Sequence, residues 1–184
     1  VIASVGDASL RHSDALLLND GLWLNDAVIA FAFEVLSSAL PDHVLLLAPS
    51  VAHLIATVDR DFAASIARPL NLHARQVVFL PVNDCVDLDE PGGSHWSLLV
   101  FSRAHNEGFF YYDSLNNFNL EAAKRMKDKF LPLLCPSHAP HSPQTIISNI
   151  RTAPSVVFFQ QMDMQSQTNG YDCGVYVIAV TELL

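Results

Sequence analysis

The chain has 184 residues, of which 51% are hydrophobic and 16% charged, so it carries enough apolar surface for one folded core and too little length for two ordinary domains. Its 19 acidic and 10 basic residues give a formal net charge of −9, which disfavours nucleic-acid binding because that affinity depends on Lys and Arg contacts to phosphate. No apolar run approaches the ~20 residues that cross a bilayer, and no basic stretch precedes an early apolar segment, so we expect neither a membrane span nor a secretory signal.

The first part of the chain is predicted to be mainly helical. Apolar residues recur at close to helical spacing within Trp23–Leu40, and Asn25 is a suitable N-cap for that helix. A shorter helix is predicted over Val51–Thr57 with Ser50 as its N-cap, and Asp59–Ala67 adds a further turn or two.

Strands and helices alternate in the rest of the chain. Segments rich in β-branched and aromatic residues predict strands, and longer apolar patterns predict helices. The predicted strands are Gln76–Val82, His95–Ser102, Gly108–Asp113 and Ser155–Gln160, and the predicted helices are Leu120–Leu134 and Asp172–Leu184. This order is typical of an α+β fold with a small central mixed sheet flanked by helices.

Three cysteines, Cys85, Cys135 and Cys173, are too few and too dispersed for a disulfide framework, which favours a reducing cytoplasmic or nuclear setting. Cys173 follows an Asn-Gly turn and begins an apolar, helix-length run. At a helix N-terminus the free N–H groups favour the thiolate, so Cys173 is a candidate nucleophile. The alternative is a buried core cysteine. Cys85 lies in an acidic loop that opposes thiolate formation, and Cys135 looks like a hydrophobic residue at a helix end.

One metal-binding interpretation has to be weighed. Cys135, His138 and His141 have C-x2-H-x2-H spacing, but the proline-rich segment lacks an obvious fourth ligand, whereas structural zinc sites normally have four. We therefore expect no metal.

Two further candidates lie on neighbouring predicted strands. His95 opens one strand after Gly92-Gly93, and Asp113 ends the next. If the strands form an antiparallel hairpin with its turn within 103–107, the two residues are directly opposite, with Cβ atoms roughly 5 Å apart. A carboxylate in that position orients the imidazole and stabilises its charged form. With Cys173 the pair predicts a catalytic triad, and an ordinary surface His–Asp pair is the alternative.

Gln167 is a candidate donor to an oxyanion, because it precedes Cys173 by a few residues and its amide can act beside the N–H groups of the helix start. Three other glutamines nearby are equivalent by chemistry alone; they are Gln160, Gln161 and Gln165.

The chain resembles the ubiquitin-like-protein proteases, the sentrin/SUMO-specific cysteine proteases of the adenain-like clan, over nearly its whole length. Four motifs carry the resemblance: WLND (Trp23–Asp26), HWSLLVF (His95–Phe101), YYDS (Tyr111–Ser114) and QTNGYDCGVYV (Gln167–Val177). The order of histidine, aspartate, glutamine and cysteine is also that of the family. The longer stretches WLNDAVIAFAFEVL, DHVLLLAPSVAHLI, RQVVFLPVND and GGSHWSLLVF are most similar to the small deneddylases, which act on a Nedd-type modifier.

This resemblance implies an adenain-like cysteine protease fold in which residues 1–184 form a single catalytic domain. It implies that Cys173, His95 and Asp113 form the triad and that Gln167 lies at the oxyanion hole.

The resemblance also implies a substrate-binding region. Trp23 and Trp96 are expected to line a narrow tunnel for the Gly-Gly tail of a ubiquitin-like modifier, since only glycine lacks a side chain that a tunnel would exclude. Because Trp96 alternates with His95, it faces away from the catalytic side or forms a wall beside it. Asp26 is expected at the modifier-binding surface, and the Gly92-Gly93 loop is expected to close over the tail.

The implied function is cleavage of the modifier after its Gly-Gly, in precursors and in lysine-linked conjugates such as those of cullins, by a monomer that needs no cofactor. A SUMO- or ubiquitin-specific protease of the same family is the first alternative. An acetyltransferase with the same triad is less favoured, because the sequence has no basic, phosphate-binding segment. A non-catalytic modifier-binding module is disfavoured by the complete set of candidate residues.

Overall fold

A mixed five-stranded sheet is the centre of the fold in the computed structural model, which describes residues 1–85, 92–104, 107–136 and 157–184. The strands are β1 (Ala3–Val5), β2 (Ala8–Leu10), β3 (Val44–Leu46), β4 (Val77–Asn83), β5 (Trp96–Ser102), β6 (Gly108–Tyr112) and β7 (Phe158–Gln161). The central sheet has the order β3-β4-β5-β6-β7, with antiparallel pairing in the middle and parallel pairing at both edges. β1 and β2 form a separate antiparallel pair.

The helices are α1 (His12–Leu16), α2 (Asp26–Ser37), α3 (Pro49–Thr57), α4 (Arg60–Ala67), α5 (Leu120–Leu134) and α6 (Cys173–Leu183), with short 3-10 turns at Arg68–Leu70 and Leu72–Ala74. The α+β class and the mixed sheet flanked by helices are therefore confirmed. No helix in the described ranges has the length and apolar character that crossing a membrane requires.

Helices cover the sheet on both faces, and each face has its own core. α3, α4 and α5 pack on one face, whereas α2 and α6 pack on the other. Because successive strand residues point to opposite faces, a strand covered on both sides is apolar at nearly every position, as β4 and β5 are. α6 lies over β5. This packing brings the start of α6 close to the residues where β5 begins.

Local sequence signals explain where several helices begin. The Asn25 side chain accepts a hydrogen bond from the Val28 N–H at 3.0 Å, so the predicted N-cap of α2 is confirmed. The prediction that Ser50 caps the next helix is wrong, because α3 already begins at Pro49. Proline has its φ angle preset for the first helical position and has no N–H that needs a partner there. Asp59 caps α4 through the N–H groups of Asp61 and Phe62.

The elements that the sequence did not predict are the shortest ones. β1, β2 and α1 fill the first 16 residues, and β3 adds three residues to the edge of the sheet. Such segments are too short for a hydrophobic period to be distinguished. Of the predicted strand 155–160, the first two residues lie outside the described residues, and β7 begins at Phe158.

The β5–β6 hairpin differs from its predicted register by two residues. The observed pairs run from Leu98 opposite Tyr112 to Ser102 opposite Gly108, so direct opposition of His95 and Asp113 is wrong. Both residues lie just outside the strands, at the same end of the hairpin. A shift of two preserves the face on which a side chain lies, because the strand period is two. The proximity of the two side chains is thus retained.

α6 approaches the segment before α2 closely at Gly174. A Cβ at this position would lie 2.9 Å from the Cβ of the buried Leu24, which is too close for two carbon atoms. The missing side chain therefore allows the N-terminus of α6 to pack where it does.

Gly174→Ala is expected to lower the free energy of unfolding by about 1–3 kcal/mol, because the added methyl group forces α6 or Leu24 to move. This effect exceeds the gain of about 1 kcal/mol in helix propensity. Urea denaturation followed by circular dichroism measures it. Gly170→Ala is the matched control, since a Cβ there meets nothing within 4 Å. Equal stability of the two variants would contradict the close packing.

Candidate active site

Cys173 is the first residue of α6, and its side chain is almost wholly buried. The turn before it is held by Asn169, whose side-chain oxygen accepts hydrogen bonds from the N–H groups of Tyr171 and Asp172 at 3.1 and 3.0 Å. The Asn169 amide in turn donates to the Asp172 carboxylate at 2.7 Å. The Asn-Gly signal in the sequence therefore corresponds to a side-chain-fixed turn that delivers Cys173 to the helix start.

His95 and Asp113 form a buried pair next to the strands that carry them. His95 Nε2 lies 2.6 Å from Asp113 Oδ1, and the two side chains are 1% and 0% exposed. Since Nε2 is engaged, the other ring nitrogen, Nδ1, is the one left for Cys173. Nδ1 is buried and has no hydrogen bond of normal geometry within the described part of the chain, although the ring and the thiol interact electrostatically. Catalytic hydrogen bonds often tighten only when substrate binds.

The Asp113 carboxylate is held by three further donors. Tyr111 donates its hydroxyl to Oδ2 at 2.5 Å, the Leu115 N–H donates to Oδ1 at 2.8 Å and the Asn119 N–H donates to Oδ2 at 3.0 Å. Burial raises the pKa of Asp113, but the hydrogen bonds from His95, Tyr111 and the backbone outweigh it and hold that pKa below its ordinary value. The carboxylate is therefore charged and fixed in position at neutral pH.

The backbone of His95 is also fixed from two sides. The Asn119 amide donates to the His95 carbonyl at 2.8 Å, and the Asp84 carboxylate accepts from the His95 N–H at 3.2 Å. Sequence reasoning did not assign roles to Tyr111, Asn119 or Asp84. The spacing of two residues between Tyr111 and Asp113 could have predicted that their side chains lie on the same side of the strand. No local sequence pattern pointed to Asn119.

The charges of Cys173 and His95 support each other. Burial lowers the pKa of His95, but the hydrogen bond to Asp113 and the interaction with Cys173 outweigh it and raise that pKa from 6.5 to about 9. Burial raises the pKa of the Cys173 thiol, yet His95 and the N–H groups of Trp96 and Gly174 hold it below its ordinary value of 9.0. Both shifts therefore favour the pair in the form of a thiolate and an imidazolium.

Gln167 is buried on the segment that leads to Cys173, and its carboxamide is oriented by neighbouring groups. The Ser114 hydroxyl donates to Gln167 Oε1 at 2.6 Å, and Gln167 Nε2 donates to the Asn169 carbonyl at 2.8 Å. Nε2 has two N–H groups, so one remains for another acceptor. The three alternative glutamines differ from Gln167, because Gln160, Gln161 and Gln165 are exposed.

An open groove of about 640 Å³ is lined by all five predicted substrate-binding residues, of which Trp96 directly follows His95 in the chain: Trp23, Asp26, Gly92, Gly93 and Trp96. Trp23 is 49% exposed, whereas the Trp96 indole is fixed by its N–H bond to the Leu24 carbonyl at 3.0 Å. Trp96 thus forms a wall of the groove. The lining residues that the sequence reasoning missed include Asn83, His53 and Cys85.

Gly93 is held in a backbone conformation that suits glycine. Its φ of +96° is in the left-handed region, and a Cβ would lie 1.9 Å from the side-chain oxygen of Asn83. The loop is also anchored by Ser94, whose N–H and hydroxyl both bind the Asp84 carboxylate at 2.7 Å. Closure of this loop over a substrate remains a prediction.

The other two cysteines have different surroundings. Cys135 is buried against Glu107 and Arg103, and its burial and the nearby Glu107 raise the pKa of its thiol to about 11. Its proposed partners in a metal site, His138 and His141, lie outside the described residues. Among the residues that are described, no group of three or more His, Cys, Asp or Glu could hold a metal ion. Cys85 is half-buried and lines the groove.

The sequence was compared with known families and proteins. Residues 22–184 match the Ulp1 protease family, C-terminal catalytic domain. Sentrin-specific protease 8 of Homo sapiens is 36% identical over 100% of this chain and 81% of its own length. NEDD8-specific protease 1 of Arabidopsis thaliana is 32% identical over 100% of this chain and 74% of its own length.

Among solved structures, the SUMO protease Ulp1 with its catalytic cysteine oxidised to a sulfinic acid has a similar fold. The TM-score is 0.65 at 19% identity, over 92% of this chain and 69% of that one.

The charge pairing predicts how the reactivity of Cys173 depends on pH. Its alkylation by iodoacetamide is expected to be faster at pH 7 than that of an ordinary thiol and to decline as the pH falls through the lowered pKa of Cys173. His95→Ala removes the imidazolium and leaves the burial, so the pKa of the thiol rises and the rate at pH 7 falls about tenfold or more.

Mass spectrometry of the Cys173 peptide measures these rates separately from those of the other two cysteines. His43→Ala is the control, since His43 is exposed and precedes β3 at the sheet edge. An unchanged pH profile in His95→Ala would contradict the proposed charge pairing.

Proposed function

The chain belongs to the Ulp1 protease family of cysteine proteases, and from that membership we propose that it cleaves a ubiquitin-like modifier of the NEDD8 type after its C-terminal Gly-Gly. The relatives named for NEDD8 or as sentrin-specific protease 8 match the chain over its full length, which supports this modifier over SUMO or ubiquitin. The solved SUMO proteases are below 25% identical and support only the fold.

The observation that carries the proposal is a groove lined by two tryptophans, one of which, Trp96, also places its backbone N–H at the Cys173 thiol. Trp96 contributes both a wall of the groove and a backbone N–H near the Cys173 thiol. In this proposal the modifier tail lies in the groove and its C-terminal end extends past Trp96 to the nucleophile. Glycine is favoured next to the two indoles and the Gly92-Gly93 backbone, since it has no side chain to collide with them.

The charge of the groove supports a basic segment in the modifier. Asp26 is exposed at the groove and begins α2, and its carboxylate binds only the neighbouring Ala27 N–H among the hydrogen bonds described. A Lys or Arg of the modifier is a suitable partner for it, and the net charge of −9 favours the approach of a basic surface.

The proposed reaction begins with attack of the Cys173 thiolate on the carbonyl carbon of the last glycine. The negative charge that forms on the carbonyl oxygen is stabilised by the free N–H of Gln167 and by N–H groups at the start of α6. The C–N bond then breaks, and the His95 imidazolium gives its proton to the leaving lysine amine. A thioester between the modifier and Cys173 remains.

Water completes the cycle. Neutral His95 takes a proton from the water, whose oxygen attacks the thioester carbonyl, and the thiolate leaves. His95 is then again the imidazolium and Cys173 the thiolate, so the charge pair is restored. Asp113 is a positioning residue in both steps, because it orients the ring and stabilises its positive form.

We further propose that the chain acts as a monomer in the cytoplasm or nucleus on lysine-linked conjugates, including those of cullins. The support for cullins is the resemblance of the sequence to the deneddylases.

A modifier carrying an electrophile at its C-terminus tests the proposal. A NEDD8 probe is expected to form a covalent adduct with Cys173 that is lost in Cys173→Ala, whereas SUMO and ubiquitin probes react at least tenfold more slowly. Gel shift and peptide mapping measure the extent of reaction and the position of the adduct.

Cys85→Ala and Cys135→Ala are the controls for reaction at the other thiols. Labelling of either of those cysteines in place of Cys173 would overturn the proposed nucleophile. Labelling by the SUMO or ubiquitin probe alone would overturn the choice of modifier and leave the protease assignment standing.

A further inference from the structure

Phe118 is an exposed aromatic residue in contact with the buried histidine of the site. Its side chain is 59% exposed, whereas His95 is 2% exposed. The two rings lie edge to face, with centroids 5.5 Å apart and an interplanar angle of 73°. Exposing an aromatic ring forgoes the free energy that burying it would provide. A large apolar surface next to a reactive group is therefore a candidate for substrate contact.

The loop that carries Phe118 is held in an uncommon conformation. Residues 114–118, here called the 114–118 loop, include Asn116 and Asn117 with φ angles of +49° and +69°. Left-handed backbone at residues other than glycine costs free energy and is often found at functional sites. The adjoining Asn119 binds both Asp113 and the His95 carbonyl, so the loop is fixed to the same pair that it covers.

The 114–118 loop does not line the groove. The groove is lined by residues of the segments 23–26, 49–54, 83–85 and 92–96, and none of the lining residues described belongs to this loop. The loop instead contacts the segment leading to Cys173, through Ser114 with Gln167 and through Ser166 with Asn116. If the modifier tail occupies the groove, the surface of this loop beside His95 is left for the leaving group.

We propose that Phe118 is a specificity-determining residue that packs against the aliphatic stem of the acceptor lysine. The inference rests on the proposed function, because it takes the tail of a modifier to occupy the groove. The leaving amine must come within reach of His95 to receive its proton, and Phe118 contacts that ring. Four methylene groups precede the amine, and an exposed aromatic face is a suitable surface for them.

Two substrates with the same scissile amide test the proposal. In one, the modifier is joined to the lysine Nε of a short peptide. In the other, it ends in an N-methylamide, which keeps the bond and removes the stem. Phe118→Ala is expected to lower kcat/KM about tenfold for the lysine conjugate and less than twofold for the methylamide. Phe118→Leu keeps an apolar side chain and is expected to retain most of the wild-type kcat/KM on the lysine conjugate.

Phe62→Ala is the matched control, since Phe62 is 52% exposed and lies on α4, away from the site. This variant should treat both substrates as the wild type does. A further readout is the alkylation of Cys173, whose pH profile should not change in Phe118→Ala.

The outcomes separate this inference from the proposed function. Equal losses on both substrates, or a shifted pH profile, would make Phe118 a support for His95 and overturn the inference. No loss on either substrate would overturn it as well. If the wild type cleaved neither substrate, the proposed function would fail and the inference would fail with it.

Discussion

His95 and Asp113 share a hydrogen bond of 2.6 Å that is almost wholly shielded from water, and the geometry of the remaining site follows from it. The bond fixes which ring nitrogen is engaged, so Nδ1 is the one available to Cys173. It also joins the start of β5 to the end of β6. The helix that packs over β5 then brings its first residue to the free side of the ring. The sheet is thus the element that aligns the three groups.

Three buried titratable groups in one place are stable only as a set. Burial alone opposes the charge of each, but the alternation of thiolate, imidazolium and carboxylate reverses that effect. Removing one member leaves an uncompensated charge, which typically costs about 3–5 kcal/mol in a buried pair. Tyr111 and Asn119 lower the free-energy cost of burying the Asp113 carboxylate, because both donate hydrogen bonds to it and both are themselves buried. The same charges that hold the site together prepare the thiol for attack.

The sequence predicted those features that depend on local chemistry. The helix Leu120–Leu134 and the cap at Asn25 could be identified because helical periodicity and capping act over a few residues. The position of Cys173 at a helix start followed from an Asn-Gly turn before an apolar run. The predicted start of α3 was wrong because Pro49 fits the first helical position, although Ser50 after it is a residue that often caps helices.

Features that depend on tertiary packing could not be predicted in the same way. The hairpin register differed by two residues, since strand ends are set by pairing across the whole sheet. The role of Asn119, which links Asp113 to the His95 backbone, has no local signature. The contact between Phe118 and His95 also depends on a loop with two left-handed asparagines. These residues complete the site that the triad motif only outlines.

The charge state of His95 tests the central claim most directly. Nitrogen NMR of protein labelled in its histidine rings distinguishes the imidazolium from the neutral ring as the pH is raised. The account predicts that His95 is an imidazolium at pH 7 and loses its proton near pH 9, and that Asp113→Asn lowers that pKa. A His95 ring that is neutral at pH 7 in the wild type, with a pKa near 6.5, would contradict it.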